Sequence, residues 1–121
     1  MAGRLAILCP GQGAQHAGMF DLARLDPAAS RLLDDWFADP VLAPLLHASI
    51  DGEARFANRI AQPSIVAASL AMWTALRPML PEPALVAGYS IGELAAYGVA
   101  GALDAGDAVR LAVGRAQLMD A

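Results

Sequence analysis

Three features of the sequence predict an α/β fold with a parallel sheet and flanking helices. Two short apolar runs, Arg4 to Cys9 and Ala84 to Gly88, have the length of strands, and each leads into a glycine-bearing turn. A long apolar segment with helix punctuation lies between them, and helical segments follow the second. The turn after the second run, Gly88-Tyr-Ser-Ile-Gly92, has the spacing G-x-S-x-G between a strand and a helix, the context of a strand–Ser–helix nucleophile elbow. Strand, helix, strand, helix implies parallel pairing. Two strands are fewer than a sheet needs, and nothing that closes a helix or adds a strand follows Asp120. The reading is of a fragment, with the natural protein expected to continue beyond Ala121.

Each element has its own signal. The first strand is closed by Pro10-Gly11-Gln12-Gly13. Asp26 followed by Pro27 reads as an N-cap with proline at the first helical position, opening a helix to about Ala38. Leu32, Leu33, Trp36 and Phe37 form its apolar side, and Asp34 and Asp35 its solvated one. Between Asp39 and Asn58 the breakers Pro40, Pro44 and Asp51-Gly52 leave a loop with one short helical piece. Gln62-Pro63 opens the next helix, which stops at Arg77 before Pro78. It is apolar nearly all round, so both its faces should be covered. A connector, Pro78 to Pro83, precedes the second strand. The helix that starts at the elbow ends near Gly98 to Gly101, and Asp104 caps a last helix over Ala105–Met119, with Asp107 in its first turn.

Composition excludes several classes of function. Of 121 residues 57% are hydrophobic and 17% charged, which is enough apolar matter for a packed core and too little charge for disorder. The net charge is −4 and every basic residue is an arginine, with no basic patch for a nucleic acid. The run ending at Cys9 is too short to span a membrane, and the stretch Ile60 to Leu76 contains Gln62, Pro63, Ser64, Ser69 and Thr74, so it reads as a buried helix. A single cysteine, Cys9, forms no internal disulfide and points to the cytoplasm, where it fills space in an apolar run. No metal-ligand cluster is evident, so the metal expectation is none.

The chemistry centres on Ser90. In an elbow the serine occupies a strained turn, and its glycine neighbours, Gly88 and Gly92, let strand and helix approach without Cβ clashes. The helix behind it aims free N–H groups at an oxyanion, the Ile91 amide first. A plainer alternative is a capping box, Ser90-x-x-Glu93, which needs no chemistry. The Pro10–Gly13 turn fits a second oxyanion donor better than a dinucleotide site, because His16 stands where the third glycine would be. On a helical wheel Arg115 lies between Leu111 and Met119, inside an apolar arc completed by Ala108, Val109, Ala112, Val113, Ala116 and Leu118. A guanidinium on a buried face needs a partner, either an internal carboxylate or the carboxylate of a substrate. Neither histidine, His16 or His47, has an acidic orienter nearby that would mark it as a general base.

Leu8 to Gln15, Asn58-Arg-Ile-Ala-Gln-Pro63 with Ser69 beyond it, Gly88 to Glu93, and Asp107-Ala-Val-Arg-Leu111 on to Arg115, in this order and spacing, resemble the malonyl-CoA:acyl carrier protein transacylase family. The resemblance covers the whole chain as the N-terminal portion, residues 1–121, of a single acyltransferase catalytic domain. It implies that Ser90 accepts a malonyl group from malonyl-CoA, a substrate with no bound cofactor, and passes it to the thiol of an acyl carrier protein. It makes Gln12 and Ile91 oxyanion donors, Arg115 the binder of the malonyl carboxylate, and Gln62 a neighbour of the pocket. Two departures stand out. The family usually has histidine before the serine, and Tyr89 there is more like the epsilon subunit of malonate decarboxylase, which loads that enzyme's own carrier subunit. The family's catalytic histidine belongs to a later segment, so residues 1–121 alone should load slowly. The alternatives are a malonyl transacylase of fatty-acid or polyketide synthesis, a patatin-like or α/β serine hydrolase, and a non-catalytic surface that docks a carrier protein.

Overall fold

The computed structural model describes residues 3–121. Strand β1 spans Ala6–Cys9 and strand β2 Leu85–Gly88, and they pair in parallel with Cys9 opposite Gly88, as the alternation of elements implied. Between them run helices α1 (Pro27–Ala38), α2 (Leu42–Asp51) and α3 (Asn58–Leu76), and after β2 come α4 (Gly92–Val99) and α5 (Ala105–Asp120). Short 3-10 turns at Ala23–Leu25, Glu53–Phe56 and Arg77–Met79 link them.

The local signals act as expected at α1 and α5. Asp26 Oδ2 accepts from the Ala29 amide at 2.9 Å ahead of Pro27, and Asp104 Oδ2 accepts from the Gly106 amide at 3.0 Å. Two expectations need correction. The stretch Asp39–Asn58 is mostly helical, because Pro44 falls in the first turn of α2, where its missing N–H would have no partner, and Asp39 Oδ1 caps the Val41 and Leu42 amides. Helix α3 starts at Asn58, so Pro63 lies inside it and not at its start. In the strands Ile7, Cys9 and Val86 turn inward while Leu8 and Leu85 are 74% and 59% exposed, since helices cover one side of the sheet only.

Helix α3 is the centre of the molecule and packs against α1, α2, α4 and α5. Every residue from Ile60 to Ala67 is buried, which explains a helix apolar on all sides. Leu33, Leu42, Leu46, Ile91 and Val109 from the surrounding elements complete the core around it. Among the described residues no helix is long and apolar enough to cross a membrane.

Candidate active site

The two strands end side by side, so the turns that follow them meet. The Tyr89 amide donates to the Cys9 carbonyl at 3.1 Å, carrying the ladder one step past β2 into the elbow. Ser90 then takes φ 55°, the left-handed region, and is the sole non-glycine residue to do so among those described. Tyr89, Ser90 and Ile91 carbonyls accept from the Gly92, Glu93 and Leu94 amides at 2.9, 3.0 and 3.1 Å, folding the turn tightly into α4. Both flanking glycines are sterically required. A Cβ on Gly88 would lie 2.1 Å from the Gly92 carbonyl oxygen, and one on Gly92 would lie 2.3 Å from that of Cys9. The strand expected to lead into a nucleophile elbow does so, and the strain sits on the serine.

The capping box does not form. Ile91, not Ser90, is the residue before α4, and no side chain caps that helix. Ser90 Oγ turns instead to α5, where Arg115 Nη2 donates to it at 3.3 Å. Arg115 Nη1 donates to Gln62 Oε1 at 2.9 Å and lies 3.2 Å from Met119 Sδ, which Gln62 Nε2 also meets at 3.1 Å. Gln62 is completely buried and Arg115 half-buried. The wheel overstated how deep Arg115 lies: Leu111, Leu118 and Met119 are 50%, 80% and 52% exposed, and the buried side of α5 is Gly106, Ala108, Val109, Ala112 and Ala116. Among the described residues Arg115 has no carboxylate partner, the ion pairs being Arg24–Asp34 and Arg110–Asp39. Its Nε–H and one Nη2 proton meet no acceptor there, which leaves donors free for an anion at the serine.

The glycine-rich turn after β1 borders the same place. A Cβ on Gly11 would lie 2.9 Å from the Tyr89 ring, so the turn passes against the elbow. Gln12 is exposed, and its Nε2 donates to Asn58 Oδ1 at 3.0 Å. The Gln12 and Ile91 amides have no acceptor among the described residues. The histidines lie in other settings: His47 packs edge-on against Phe37 with centroids 4.9 Å apart, and His16 Nδ1 accepts from the Gly18 amide at 3.2 Å. Cys9 is buried beneath the turn, and burial pushes its thiol up, as suits a space-filling cysteine. Sequence reasoning gave no role to Asn58, Met119 or Asp120. The signal available was spacing, since Asn58 with Gln62 on α3, and Arg115 with Met119 on α5, each stand one turn apart.

A sequence model described as the acyl transferase domain matches residues 7–121. The chain belongs to the acyl transferase domain family. This acyltransferase chain is 39% identical over 116 residues to the malonyl CoA-acyl carrier protein transacylase of Mycobacterium tuberculosis, covering 92% of this chain and 38% of that protein. Its fold superposes on an acyl carrier protein S-malonyltransferase from Vibrio cholerae with a TM-score of 0.83 and 34% identity, over 98% of this chain and 40% of the other. It also matches a malonyl-transacylase solved in complex with its type II polyketide-synthase acyl-carrier protein, with a TM-score of 0.82 and 34% identity over 97% and 39% of the two chains. The acyltransferase chain therefore spans about two-fifths of the length of these relatives.

Proposed function

We propose that the protein containing this chain transfers a malonyl group from malonyl-CoA to the thiol of an acyl carrier protein through an ester on Ser90. The observation that carries this reading is the 3.3 Å contact between Arg115 and Ser90 Oγ, made by an arginine with no carboxylate of its own among the described residues. The free carboxylate of a malonyl group stands one methylene from the acyl carbonyl. An arginine that touches the nucleophile therefore reaches that carboxylate once the carbonyl is under attack, and it offers nothing comparable to an acetyl group.

In the first step Ser90 Oγ attacks the thioester carbonyl, the bond to sulfur breaks, and coenzyme A leaves as its thiol with the proton that Ser90 gave up. In the second the carrier thiol attacks the ester and Ser90 recovers its proton. The tetrahedral oxyanion of each step is received by the Ile91 amide at the head of α4 and the Gln12 amide of the facing turn. Arg115 is permanently charged and cannot take the serine proton, so the base is a separate group. The family resemblance assigns that task to a histidine of a later segment. Gln62 holds the Arg115 guanidinium from behind. The narrower reading, the malonate decarboxylase epsilon subunit with that enzyme's carrier subunit as acceptor, rests on Tyr89.

Intact-mass measurement of the complete protein after brief exposure to malonyl-CoA or acetyl-CoA tests the reading, with Ser90→Ala as control. A malonyl adduct absent from Ser90→Ala and from the acetyl-CoA sample is the expected result. No adduct from the complete protein would refute it. Transfer of the adduct to a malonate decarboxylase carrier subunit in preference to a fatty-acid carrier would support the narrower assignment, and the opposite preference would remove it.

A further inference from the structure

The turn that carries Gln12 lacks any intrinsic reason to hold its amide in one direction. Gln12 lies between Gly11 and Gly13, and Gly13 has φ 139° with open space around it. Backbone of this kind is free unless side chains tie it down. Two ties are present. The Gly13 amide donates to Gln15 Oε1 at 2.7 Å, and Gln15, itself buried, extends Nε2 to the Arg55 carbonyl at 3.4 Å. Gln12 Nε2 donates to Asn58 Oδ1 at 3.0 Å, and Asn58 Nδ2 donates to Asp120 Oδ1 at 2.9 Å.

The second tie has a fixed polarity. An ionised carboxylate only accepts, so Asn58 must present its nitrogen to Asp120 and its oxygen to Gln12, which must then donate. The result is a directed chain from the turn after β1, through the first turn of α3, to the last turn of α5. Asn58 stands one helical turn before Gln62, and Asp120 lies on the helix that carries Arg115. We infer that Asn58 is a positioning residue for acyl transfer: linking Gln12 to Asp120, it aims the Gln12 amide at the oxyanion and ties that turn to the helix that binds the carboxylate. The inference rests on Ser90 being the proposed nucleophile.

The test uses the complete protein and two acylating probes, malonyl-CoA and a small fluorophosphonate. The second needs Ser90 and the oxyanion donors but no carboxylate recognition. Asn58→Ala removes the tie. Asn58→Asp keeps an acceptor for Gln12 but sets two carboxylates face to face, and adding Asp120→Asn restores a donor to that contact with its polarity reversed. Both single variants should slow reaction with both probes about three- to tenfold, the share of one hydrogen bond. KM for malonyl-CoA should not change, because the contact acts in the transition state. The double variant should regain the wild-type rate. Wild-type rates in Asn58→Ala, or a double variant as slow as Asn58→Asp, would overturn the inference. Fluorophosphonate labelling slowed by Asn58→Ala, in a protein that takes up no malonyl group, would uphold the positioning role and overturn malonyl transfer. A wild-type protein inert to both probes would overturn both.

Discussion

Arg115 Nη2 and Ser90 Oγ lie 3.3 Å apart although they come from different helical units, α5 and the turn before α4. The contact brings a fixed positive charge to the side of a serine held in the left-handed backbone region. On the proposed function, charge at that spot is what would discriminate between acyl groups, by whether they carry a carboxylate.

Replacing Arg115 by Ala should lower kcat/KM for malonyl-CoA by about ten- to a hundredfold, the scale of a lost charge-assisted hydrogen-bonded pair. Turnover of acetyl-CoA should fall far less, so selectivity moves toward acetyl. Arg115→Lys should not restore it, because one ammonium cannot hold Gln62, face Ser90 and grip a carboxylate as a planar fork does. Steady-state kinetics of the complete protein with both thioesters checks this, and unchanged malonyl selectivity in Arg115→Ala would contradict it.

Two glycine substitutions should act in opposite directions. Gly92→Ala places a methyl group 2.3 Å from the Cys9 carbonyl oxygen, a backbone atom that also accepts from Tyr89 and has no room to retreat. It should cost about 3 kcal/mol or more of unfolding free energy. Gly114→Ala, inside α5 with nothing within 4 Å of the added carbon, should stabilise by about 0.5–1 kcal/mol through backbone entropy. Urea denaturation midpoints of the two variants measure both effects, and a Gly92→Ala protein as stable as the parent would contradict the steric account of the elbow.

The features legible in the sequence are those governed by neighbours along the chain. Asp26-Pro27 and Asp104 fix helix starts by local hydrogen bonds, and Gly88 and Gly92 announce an elbow because only glycine fits there. Proline was the misleading signal. Pro44 and Pro63 break helices only when the lost N–H was needed, and Pro44 in a first turn gives up nothing, while at Pro63 the dense packing of α3 outweighs the lost bond. Arg115 stood out by its place on the wheel, but the depth of its face depended on what covers Leu111 and Leu118, which no helical wheel contains. The hydrogen bonds of Asn58 and Asp120 arise from a tertiary meeting of α3, α5 and the turn after β1, so beyond the one-turn spacing of Asn58 and Gln62 no local pattern marks them.

Acid stability should depend on Asp39, whose carboxylate links the start of α2 to α5. Its pKa is held below the ordinary aspartate range, first by hydrogen bonds from the Leu42 and Val41 amides and then by Arg110, which donates to Oδ2 at 2.6 Å. A group with a depressed folded-state pKa contributes stability that is complete above its unfolded pKa and is lost as pH falls through the folded one. Melting temperature should therefore decline on acidification through and below the ordinary aspartate range, and Asp39→Asn should flatten that decline while lowering stability at neutral pH. Arg110→Gln should flatten it less, because the backbone donors are the larger cause and remain in place. Melting curves from neutral to acid pH on the parent and the two variants test the order. An Arg110→Gln protein that loses the whole pH dependence would show that the ion pair, and not the cap on α2, sets the charge state of Asp39.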